Sequence, residues 1–161
     1  MTLRFVVNRN LEKGTYTLEE VFPGLKDLEV VKEIFSKYGT DDLKVEIVDS
    51  VKYMRVLDEN GIVLISVSHL RKSDEKTLFL DIIHELVHVR QYLENKELYD
   101  KNYEYVERPT EIEAYKLVVK LAREIGMTDK EIREYLQVEW INKEQLNRLL
   151  SVLKVKHIGL C

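Results

Sequence analysis

Several things are scarce in this 161-residue chain, and each scarcity excludes something. There is one cysteine, Cys161, so no intrachain disulfide can form, which fits a reducing cytosol. There are two prolines and six glycines, too few for long irregular loops or a Pro/Gly-rich linker. Positive charge is not in excess: the formal net charge is -4 and no stretch is dominated by Lys and Arg, which argues against nucleic acid as a partner. No uninterrupted apolar run approaches the roughly 18 residues of a membrane span. The first ten residues, Met1 to Asn10, lack the apolar core of a signal peptide. The expectation is a cytoplasmic protein with no membrane and no nucleic-acid partner.

What remains is 45% hydrophobic and 34% charged, a globular composition. The length fits a single domain over residues 1–161, with a core at about 43–126, an N-terminal extension over 1–42, and C-terminal helices and a tail over 127–161. The fold class expected is α+β, with a small, mostly antiparallel sheet packed on a central helix and a second, glutamate-bearing helix. Leu3–Val7 reads as a short strand. Leu18–Tyr38 carries a helical pattern, with Gly39 as its stop. Leu43–Val48 alternates like a half-exposed strand. Lys52–Leu57 and Ile62–Val67 read as two more, joined through Asp58-Glu59-Asn60-Gly61, a hairpin signal. Ser73 is the expected N-cap of the central helix. Pro109 opens the next helix and Gly126 ends it. Thr128 with Glu131 forms a capping box, and a last helix covers about Asn142–Leu153.

Histidine is also scarce, with four in the chain, yet two of them fall in His84-Glu85-Leu86-Val87-His88. Residues four apart on a helix lie one turn apart on one face, so both imidazoles can offer a nitrogen to one ion. Glu85 then stands beside an open coordination position without being a ligand, where a general base is needed. The surrounding run, Thr77 to Leu93, has no proline or glycine and is apolar on most faces, as a helix buried mid-domain would be. A catalytic zinc site has three protein ligands. The residues leave four candidates for the third: Glu111, Glu113, His69 and His157.

His-Glu-Leu-Val-His, followed about two dozen residues later by Glu111-Ile112-Glu113-Ala114, resembles the gluzincin group of zinc metallopeptidases. The likeness is to its small members, the minigluzincins, and to intracellular peptidases of the ImmA/IrrE type, and it covers about residues 43–125. It implies Zn2+ as cofactor, His84, His88 and Glu111 as ligands, Glu85 as general base, and a peptide or protein as substrate. Glu111 takes the position of the first glutamate in the related motifs, and it shares a helix face with Ala114 and Tyr115. Glu113 points elsewhere. Where those families have Asp or Asn four residues after the ligand, this chain has Tyr115, which puts the orientation of the first histidine in question. Tyr99, Tyr103, Tyr105 and His157 are the candidates for a second oxyanion donor. A tail carrying His157 and Cys161 raises the idea of a latent enzyme. The competing readings are a non-catalytic zinc-binding regulatory domain and a metal-free helical domain.

Overall fold

The computed structural model describes residues 5–157. The architecture is α+β, with one small mixed sheet and seven α-helices among the described residues. The described chain divides into two compact units, residues 5–97 and residues 98–157.

The first unit is built on the sheet. Strands β1 (Gly14–Thr17), β2 (Lys44–Val48), β3 (Met54–Val56) and β4 (Val63–Ser66) lie in the order β1-β2-β4-β3. β1 runs antiparallel to β2, β2 parallel to β4, and β3 antiparallel to β4. The inner strand β4 is buried at all four positions, whereas β2 alternates, burying Val45 and Ile47. The expected hairpin closes between β3 and β4. Gly61 adopts a positive φ of 74° there, and the Asn60 carboxamide accepts from the Ile62 amide at 3.0 Å. A Cβ on Gly61 would stand 2.6 Å from the Tyr92 ring, so glycine is required both by the turn and by the close approach.

Two expectations for the N-terminal part do not hold. Phe5–Val7, the described part of the expected first strand, has no regular structure, and the sheet begins instead at Gly14. The continuous helix expected over residues 18–38 is three pieces: α1 (Leu18–Val21), a 3-10 turn (Leu25–Asp27) and α2 (Glu29–Ile34). The second break falls at Leu28, whose backbone is extended (φ -69°, ψ 140°), and the first is made by Pro23-Gly24. Proline cannot continue the helical hydrogen bonding, and Gly24 turns left-handed with φ 81°. The apolar residues are still buried, so Leu25, Val31, Ile34 and Phe35 join the core despite the breaks.

β4 runs without a connecting residue into α3 (Val67–Lys72), whose N-cap is Ser66, the last residue of the strand. Ser73 ends this helix, and Asp74, not Ser73, caps the helix that follows through a bond from the Thr77 amide. Arg9 closes the end of α3 by donating to the carbonyls of Leu70 (3.0 Å) and Ser73 (2.7 Å). Helix α4 (Glu75–Leu93) then packs against β3, β4 and α2. Twelve of its residues are buried, on most faces of the helix, as its sequence predicts.

The second unit is helical. A 3-10 turn (Tyr105–Glu107) leads into α5 (Pro109–Glu124), and α6 (Asp129–Leu136) and α7 (Lys143–Leu153) follow. Proline opens α5 and Gly126, at φ 90°, turns the chain beyond it. The Thr128–Glu131 capping box forms as expected, and Asn142 caps α7. The stretch after α7 is tied down by Arg123 on the Lys154 carbonyl (2.8 Å), Arg133 on the Lys156 carbonyl (2.7 Å), and the Lys156 amide on Asp129 (2.9 Å). The bond from that amide, aided by Arg123, holds the Asp129 carboxyl below its usual range. Among the described residues no helix is long and apolar enough to cross a membrane.

Candidate metal centre

Helix α4 sets the two motif histidines one turn apart on one face. Their Nε2 atoms lie 3.1 Å apart, and the rings meet edge to face with centroids 4.8 Å apart. Both side chains are buried, as is Glu85 between them in sequence, at 9% exposure. His88 Nδ1 lies 2.7 Å from the carboxamide oxygen of Gln91, which is wholly buried one turn further along the helix.

Glu111 sits in the first turn of α5 and is 4% exposed. Its neighbours in the second unit fix its place. The Arg108 guanidinium stands 3.7 Å from its carboxylate, lies over the rings of Tyr99 and Tyr105, and donates to the Asp100 carbonyl at 3.3 Å. The adjacent Thr110 hydroxyl donates to the Leu98 carbonyl at 2.8 Å, pinning the helix start. Ala114 and Tyr115 are buried with Glu111, and Glu113 is exposed, as the helical spacing predicts.

His84, His88 and Glu111 form a buried group that could hold a metal ion: one ligand atom from each lies within 4.8 Å of the others. The donors suit such an ion. Two nitrogens each about 2.05 Å from a tetrahedral ion stand about 3.3 Å apart, close to the spacing of the two Nε2 atoms. Two imidazoles with one carboxylate is also a donor set that catalytic zinc sites use. Burying these polar side chains is costly unless each is bonded, and a cation would engage all three.

The other candidates from the sequence are engaged elsewhere. His69, buried on α3, has Nε2 2.7 Å from Asp81 and Nδ1 2.7 Å from the Ser73 hydroxyl, so both ring nitrogens are committed. His157 Nε2 lies 3.0 Å from the Ser151 hydroxyl. Tyr115 bonds the Tyr105 hydroxyl at 2.6 Å, and Tyr103 is exposed. Cys161 lies outside the described residues. Reading the sequence missed the contacts of Gln91 with His88 and of Arg108 with Glu111. The spacing held a signal for each: Gln91 is three residues after His88, and Arg108 three before Glu111.

No protein-family model, curated protein or solved structure matches the chain.

Proposed function

We propose that the protein is a zinc-dependent metallopeptidase of the gluzincin kind, cleaving peptide bonds with Glu85 as general base. The observation that carries the reading is the buried His84, His88 and Glu111 group with Glu85 next to it in the chain. The three side chains would hold Zn2+. When bound there, the ion supplies Lewis acidity for the scissile carbonyl and lowers the pKa of its water ligand to about 7.

The chain's own groups do the rest. The Glu85 carboxylate accepts a proton as the water oxygen attacks the carbonyl carbon. It returns that proton to the amide nitrogen as the carbon–nitrogen bond breaks, so the amine leaves neutral. Burial of Glu85 keeps bulk water from competing for that proton. Gln91 and Arg108 steady a ligand each, through His88 and Glu111. The substrate class is an extended peptide. β3 stands at the edge of the sheet and packs against α4, the kind of element along which an extended peptide would run.

The test pairs elemental analysis with digestion of a mixed peptide library. The expected result is stoichiometric zinc, cleavage that a chelator abolishes, and a Glu85→Gln variant that keeps its zinc while its rate falls about 10²–10⁴-fold. Cleavage by Glu85→Gln at the parent rate removes Glu85 as base. Zinc without cleavage leaves a regulatory metal-binding domain.

A further inference from the structure

We propose that Gln91 is a positioning residue. It fixes His88 in the tautomer with the proton on Nδ1, leaving the Nε2 lone pair for a cation, and so tunes the affinity of the site. The second half rests on the metal-site reading above. The first does not.

Gln91 is 0% exposed, in a helix whose other buried residues are mostly apolar. An amide at such a position is unfavourable unless bonded, and leucine would fill the space without that cost. Its carboxamide oxygen lies 2.7 Å from His88 Nδ1. A carbonyl oxygen only accepts, so the ring proton sits on Nδ1 and Nε2 keeps its lone pair. That lone pair faces His84 Nε2 at 3.1 Å. With the other tautomer, an N–H would point into the same gap and His88 could not bind a cation there.

The choice of an amide over a carboxylate also matters. A carboxylate would pull harder on the Nδ1 proton, make Nε2 more basic and hold a metal more tightly. The amide gives the same orientation without adding a negative charge to the buried side of α4. The two effects of position 91, orientation and basicity, therefore separate by substitution.

The experiment uses the full chain. Imidazole ¹⁵N spectra of the metal-stripped protein report the tautomer of His88, and competition with a chromophoric chelator reports the dissociation constant for Zn2+. Chemical unfolding of each stripped variant reports folding. In the parent, His88 is expected to be protonated on Nδ1. Gln91→Met should shift it toward Nε2–H and weaken zinc binding by about 10–100-fold. Gln91→Glu should restore the Nδ1–H tautomer and bind zinc at least as tightly as the parent, which a merely space-filling role would not produce. The proposal is overturned if the stripped parent carries the proton on Nε2, or if Gln91→Met binds zinc within twofold of the parent. Should Gln91→Met fail to fold, weaker zinc binding by Gln91→Glu than by the parent overturns it instead. If the tautomers behave as stated but the parent takes no zinc, the metal reading falls and the role of Gln91 on His88 stands.

Discussion

Two buried histidine clusters lie in the first unit, and their chemistry differs. Around His69 both ring nitrogens meet oxygens of the chain, Asp81 on one side and Ser73 on the other. Around His84 and His88 the two Nε2 atoms face each other, and Gln91 takes Nδ1 of the second ring. The first cluster is complete as a protein hydrogen-bond network and ties α3 to α4. The second turns two ring nitrogens toward one point, where Glu111 also supplies an oxygen. A buried histidine therefore signals a metal site by what its nitrogens converge on, not by its burial. By that measure His69, one of the sequence candidates for the third ligand, is structural.

Substitutions can break this contrast. The largest expected effect is on metal: His88→Ala should lose essentially all stoichiometric zinc by elemental analysis, and His69→Ala should keep it. The reverse holds for folding, where His69→Ala removes the ring's bonds to Asp81 and Ser73 and should lower the unfolding free energy by about 2–3 kcal/mol in urea titration. Zinc lost from both variants alike would erase the distinction. A smaller effect, about 1–3 kcal/mol, is expected from Gly61→Ala, which forces a side chain into a left-handed turn and against the Tyr92 ring. Tyr92 adjoins Gln91, so this strain enters the helix beside the His88–Gln91 pair and should weaken zinc binding, measured by chelator competition. The smallest, about 1 kcal/mol, is Ser73→Ala, which removes one bond from His69 and should leave zinc affinity unchanged.

Much of this was legible in the sequence where local chemistry decides structure. Asn60-Gly61 dictated a turn, Pro109 and Gly126 bracketed α5, and Thr128 and Glu131 capped α6, all without tertiary help. The spacing of His84, His88, Glu111 and Ala114 likewise put each on a buried face. The failures came where two local signals competed. Leu18, Val21 and Leu25 keep a helical spacing across Pro23-Gly24, which breaks the helix, because burial can be satisfied by short pieces. Ser73 and Asp74 are both good caps, and only the bond from Ser73 to His69 shows why Asp74 took the role. Gly14–Thr17 was overlooked because four residues are too few for alternation to show, and its pairing with Lys44–Val48 is a long-range choice.

The direct passage from β4 into α3 leaves the chain no slack at Ser66. One added residue there would rotate the following helix by about 100° and slide it by about 1.5 Å. His69, three residues on, would swing away from Asp81 while the strand ladder stayed intact. The junction thus works as an indexing pin: it converts the register of the sheet into the angular setting of a helix, and lengthening it would first be felt at one imidazole–carboxylate contact.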